Sequence, residues 1–126
     1  MFNTWVMFMS SMGDAPSMAL IVRLDLGLSI GKTAAQCAHA AVDVVQRARR
    51  SRLLERWRAG GARKIVLGVE DEAALHELAA RVPEGCYASV VRDAGHTEVP
   101  AGTVTVLGML GPRRSMDALL GHLETL

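Results

Sequence analysis

Residues 18–49 read MALIVRLDLGLSIGKTAAQCAHAAVDVVQRAR, and the fold is decided there. The apolar, partly β-branched run from Leu20 through Val22 to Leu26 predicts a buried strand. Gly27 to Gly31 predicts a loop, with Ser29 placed to cap the helix that follows. From Lys32 to about Arg49 the pattern is helical: Ala34, Ala35, Ala38, Ala41, Val42 and Val45 make an apolar stripe whose small side chains are expected to lie close against a sheet. A buried strand feeding a long helix is the opening unit of an α/β fold.

Working outward, the same alternation continues. Ser51 to Arg58 predicts a short basic helix ending at Gly60-Gly61, and Lys64–Val69 (KIVLGV) a second strand. Asp71-Glu72 opens a helix to about Arg81, with acids in its first turn where the helix dipole favours them. Cys86–Arg92 and Thr103–Leu110 predict the third and fourth strands, joined by the polar segment DAGHTEVPAG, residues 93–102. Gly111-Pro112 is expected to break the last strand, and Ser115 to cap a final helix bearing Met116, Leu119, Leu120 and Leu123. With no helix between the third and fourth strands, the sheet must be mixed. The expected fold is therefore α/β: a four-stranded mixed β-sheet flanked by helices on both faces, a three-layer sandwich. Residues 1–17 read as a leader, loosely ordered or added on, and residues 18–126 as one domain.

A chain of 126 residues, half apolar and about a fifth charged, is long enough to bury a core without a metal or disulfide staple. Two cysteines, Cys37 and Cys86, without CxxC or zinc spacing, exclude a zinc fold and a disulfide scaffold. They point to a reduced, cytoplasmic compartment. No segment reaches the ~20 apolar residues that span a bilayer, so no membrane partner is expected. The net charge of +1 hides an asymmetry: Arg47, Arg49, Arg50, Arg52, Arg56, Arg58, Arg63 and Lys64 stand against one acid, Glu55. Such a block fits a polyanion, or merely a solvated Arg-rich helix.

Lys32, Gln36, His39, Asp43 and Gln46 recur at helical intervals and form a polar stripe. Its N-terminal part holds a cation, an amide and an imidazole beside the positive end of the helix, where an anion is favoured. Gly31-Lys32-Thr33 invites a phosphate-loop reading, but Gly27 leaves the loop one residue short. Asp93, Gly95, His96 and Thr97 put a carboxylate, an imidazole and a hydroxyl in one loop, and Thr103 and Thr105 share a strand face. All are also ordinary turn and strand-end residues. No GxSxG elbow is present, and the few aromatics beyond the leader, Trp57 and Tyr87, do not make a stacking platform for single strands.

Taken in order, IVRLDLGLSIGKTAAQCAHAA, KIVLGVEDEAAL, VVRDAGHTEVPAGTVTVLGMLGP and SMDALLGHLETL resemble the type 2 peptidyl-tRNA hydrolase family over residues 18–126. The resemblance implies hydrolysis of the ester between a peptide and the tRNA 3′ ribose, with peptidyl-tRNA as partner, a homodimer, and neither metal nor organic cofactor. It also implies a site of Lys32, Gln36, His39, Asp93, Thr97 and Thr105. Ester hydrolysis requires an oriented water, a base and a stabilised oxyanion. Asp93 suits the water, Lys32 the oxyanion or a phosphate, Thr97 and Thr105 the holding of water and substrate, and Gln36 and His39 the ribose or peptide end. Asp93 and His39 are both open as proton acceptor. The basic block would hold tRNA phosphates without reading sequence. Two other readings stand beside this one: a catalytically silent relative binding RNA or protein, and a nucleotide binder.

Overall fold

The computed structural model describes residues 15–95 and 98–126. Strand β1 (Pro16–Arg23) is followed by a 3-10 turn (Leu24–Leu26), then α1 (Ile30–Arg47), α2 (Arg52–Ala59), β2 (Lys64–Val69) and α3 (Glu72–Ala80). After these come β3 (Tyr87–Arg92), β4 (Val104–Pro112), α4 (Arg113–Leu120) and β5 (Glu124–Thr125). The sheet order is β3-β4-β1-β2-β5, with β1 parallel to β2 and antiparallel to β4. The fold is α/β with a mixed sheet, but five strands replace the expected four. The addition is the two-residue β5, which pairs with Leu67 and Gly68 at the edge of β2.

Alternation along β1 divides the core. Met18, Leu20 and Val22 pack with Cys37, Ala40 and Val44 of α1 and Leu54 and Trp57 of α2. Ala19 and Ile21 pack with Leu75 and Leu78 of α3 and Met116, Leu119 and Leu120 of α4. Since successive strand residues face opposite sides, one helix pair covers each face of the sheet. Close approach on the first face depends on Gly108 of β4: a Cβ there would lie 2.8 Å from Val44 Cγ2 and 3.0 Å from the Ala40 carbonyl oxygen.

Several expected boundaries move. β1 begins at Pro16, so Pro16 and Ser17 of the expected leader belong to the sheet; residues 1–14 of that leader lie outside the described residues. β4 runs through Gly111 to Pro112 instead of breaking there, and α4 starts at Arg113, with Ser115 inside it and not at its cap. Within the strand, Gly111 has no room for a side chain, because Cys86 Sγ occupies the space a Cβ would need. The larger correction concerns α1. Ala34, Ala35, Ala38 and Val42 of the expected inner stripe are exposed, and the buried residues are Gln36, Cys37, Ala40 and Val44.

Candidate active site

The site begins with a helix cap. Ser29 has an extended backbone, and its Oγ accepts the Lys32 N–H at 3.1 Å, satisfying one of the amides that the first turn leaves without a partner. Capping fixes where α1 starts and so which way Lys32 projects. Lys32 Nζ donates to Asp93 Oδ1, joining the first turn of α1 to the residue just past β3. The Asp93 side chain is 2% exposed and that of Lys32 13%. A carboxylate so withdrawn from water requires such a partner.

Asp93 is held by its own surroundings as well. Its Oδ2 accepts the Gly95 N–H at 2.6 Å, its N–H donates to the Thr103 carbonyl at 2.8 Å, and its carbonyl accepts the Gly102 N–H at 2.8 Å. Gly95 adopts φ +86° and lies so close to Ala101 that a Cβ would come within 2.6 Å of the Ala101 Cβ. Only glycine meets both demands.

One turn further along α1, Gln36 is buried although polar. Its Nε2 donates to Thr105 Oγ1 at 2.8 Å, and the Thr105 hydroxyl lies 3.4 Å from the Val91 carbonyl oxygen. Thr105 is wholly buried. Helix, β4 and β3 are thus tied by one polar chain, which explains why an amide sits where an apolar residue is the default. His39 and Asp43, the next residues of the stripe, are exposed.

Lys32, Gln36, His39 and Asp43 form one wall of a groove of about 390 Å³, and Val90, Val91, Arg92, Asp93 and Ala94 the other. The groove therefore gathers four of the residues that the sequence singled out, together with Asp43 of the same stripe. Thr105 lies behind Gln36, and Thr97, with its neighbour His96, lies outside the described residues. Gly31-Lys32-Thr33 forms the first turn of α1, with the lysine committed to Asp93. A second cavity of about 350 Å³, between Leu24, α3 and β5, contains none of the site residues expected from sequence. Among the described residues, no three His, Cys, Asp or Glu side chains converge to hold a metal ion. Burial pushes both the Cys37 and Cys86 thiols up, away from the thiolate a nucleophile needs.

Sequence reading missed Glu98. Its Oε1 accepts the Ser29 N–H at 2.9 Å and its Oε2 the Ser29 Oγ–H at 2.5 Å. These hydrogen bonds, with a further contribution from the Lys32 charge, hold the Glu98 carboxyl below its usual range. The partners are 69 positions apart, so no local spacing signals the contact.

The basic residues spread over three elements: Arg47 ends α1, Arg52, Arg56 and Arg58 lie on α2, and Lys64 opens β2. All eight are exposed. Arg63 donates from Nη1 to Ser17 Oγ at 2.5 Å, Arg49 from Nη1 to the Gln46 carbonyl at 2.9 Å, and the Lys64 ammonium stands 5.0 Å from the Trp57 ring centre. These three also serve the fold.

The sequence model of the family described as Peptidyl-tRNA hydrolase PTH2 matches residues 17–126. Peptidyl-tRNA hydrolase of Aeropyrum pernix is 42% identical over 120 residues, covering 89% of this chain and 97% of that protein. Peptidyl-tRNA hydrolase 2 of Saccharomyces cerevisiae is 38% identical over 128 residues, 91% of this chain and 62% of that protein. The human protein named Peptidyl-tRNA hydrolase 2, mitochondrial, is 39% identical over 121 residues, with 91% and 68% covered. The chain thus spans nearly all of the archaeal relative and under two-thirds of the yeast one. With the family model covering residues 17–126, all but the first residue of the described sheet, and with Lys32 and Asp93 joined in one groove, the chain belongs to the peptidyl-tRNA hydrolase PTH2 family.

Proposed function

We propose that this chain hydrolyses the ester linking a peptide, or an N-blocked amino acid, to the 3′ ribose of tRNA. The observation that carries this reading is the Lys32–Asp93 pair set into the groove of a chain of this family. Water attacks the ester carbonyl, forming the new C–O bond, and the bond to the ribose oxygen breaks. The water's proton passes to a base and then to the departing 3′ oxygen. Asp93, with donors on both carboxylate oxygens, fixes the ammonium of Lys32. That ammonium has further protons to offer to the developing oxyanion. His39 takes the proton in this reading, supported by its exposure on the same wall of the groove. Gln36 orients the substrate, and Thr105 acts through Gln36 by fixing its amide. Thr97 is proposed to join the site on the family resemblance alone.

Arg47 lies about 22 Å along α1 from Lys32 at the usual helical rise. A tRNA with its 3′ end in the groove would lay phosphates along Arg47, Arg50, Arg52, Arg56 and Arg58, contacts that place the substrate without reading its sequence. Self-association as a homodimer is supported by the exposed apolar side of α1, where Ile30 is 91% and Val42 68% exposed; sedimentation of the purified chain tests it. A cytoplasmic site of action is supported by two free cysteines. The mitochondrial name of the human relative is the competing reading, which fractionation separates. Among the described residues no helix is long and apolar enough to cross a membrane. Release of free tRNA from N-blocked aminoacyl-tRNA tests the activity itself. No turnover by the folded wild-type chain would leave a binding protein.

A further inference from the structure

The connection between β3 and β4 touches α1 at a second place, outside the chemistry described above. Both carboxylate oxygens of Glu98 are engaged by Ser29, one by its N–H and one by its hydroxyl. The same hydroxyl oxygen accepts the Lys32 N–H. Glu98, Ser29 and the Lys32 backbone therefore form one hydrogen-bonded chain, and the Lys32 ammonium returns to the connection through Asp93. At its base the connection is already closed, by the exchange between Asp93 and residues 102 and 103 and by Gly95 against Ala101. Glu98 tethers its far side. Exposed charged contacts of this kind add little to global stability. Their consequence is where they hold the chain.

We propose that Glu98 is a positioning residue, whose two-point grip on Ser29 keeps the β3–β4 connection against the first turn of α1 and so fixes Asp93 beside Lys32. The inference rests on the hydrolytic reading above. Ser29 presents two donors, and a carboxylate answers both with equivalent acceptors. Glutamine keeps one acceptor, and alanine none.

The test compares the full-length wild type with Glu98→Ala and Glu98→Gln. Turnover of N-blocked aminoacyl-tRNA, melting temperature and amide exchange at Ser29 and Gly95 are measured for each. For Glu98→Ala, kcat is expected to fall about ten- to a hundred-fold with KM changed by less than about a factor of two, as for lost alignment and not lost binding. The melting temperature should hold, and exchange at Ser29 and Gly95 should quicken. Glu98→Gln should fall between. An alanine variant with wild-type kcat, or with unaltered protection at Ser29 and Gly95, overturns the proposal. Should the wild type itself show no turnover, the hydrolytic reading fails, and the exchange result alone decides whether the grip holds the connection.

Discussion

Lys32 and Asp93 are 61 positions apart in sequence, yet the lysine ammonium donates directly to a carboxylate whose side chain is 2% exposed. The contact joins the helix that follows β1 to the strand end that precedes β4. Its loss has two effects that differ in kind. Lys32→Ala leaves a buried carboxylate without its cation, at about 3 kcal/mol of stability for a pair of this burial. Asp93→Asn removes the negative charge, lets the ammonium wander, and has the smaller effect on stability. Both should lower kcat/KM about a hundred-fold or more. Denaturant melts beside tRNA-release assays separate the two, since only Lys32→Ala is expected to lower both quantities strongly.

His39→Gln should lower kcat by about a hundred-fold with little change in KM or melting temperature, because the side chain is exposed and its proposed task is proton transfer. Retention of full kcat would return that task to Asp93.

Thr105→Val keeps shape but removes the acceptor of the Gln36 amide. An unsatisfied buried N–H costs about 1–3 kcal/mol, and Thr105→Ser should recover most of it. Denaturant midpoints measure the loss, and turnover should fall with it as Gln36 loses its orientation.

Gly108→Ala places a methyl group against Val44 and the Ala40 carbonyl. Overpacking of that kind costs about 1–3 kcal/mol. Because Gln36 and Lys32 ride on the displaced helix, activity should drop as well. A melt together with a kcat measurement checks both.

Acid weakens the fold modestly through the Asp25 carboxyl, which is held low. The Arg23 guanidinium hydrogen-bonds Asp25 and depresses its pKa; the Glu98 carboxyl, also held low by Ser29, is fully exposed and adds little. Since the unfolded chain takes up the Asp25 proton first, the stabilisation is complete above the ordinary carboxylate range, about pH 4. It is lost as pH falls through the lowered folded value. Melting temperature followed from pH 7 to pH 3 should show this loss, and Asp25→Asn should flatten it.

Much of this architecture was legible along the chain. KIVLGV reads as a strand because it is β-branched and bounded, and Lys64–Val69 is that strand. Ser29 reads as a cap, and its side chain does accept the Lys32 amide; Asp71 reads as a first-turn acid and is instead the cap of α3, accepting the Ala74 amide. What escaped depends on contacts distant in sequence. Glu124-Thr125 becomes a strand only because β2 offers an edge. Alanine recurs widely around α1, so periodicity alone set the stripe off to one side: Ala41 and Val45 pack against the core while Ala34, Ala35, Ala38 and Val42 are exposed. Gln36 turns inward because Thr105 meets it there. The convergence of Lys32 with Asp93 followed from family resemblance, not from spacing.

The groove's walls carry Lys32 and Arg92 against Asp43 and Asp93, so their formal charges cancel. A polyanion gains little pull from a neutral cleft. On the proposed reading, long-range attraction then falls to the arginines beyond it, and the two tasks are physically separable: ionic strength should govern how often a substrate is captured, while bond cleavage, once the ester is seated, should proceed at a pace salt barely touches.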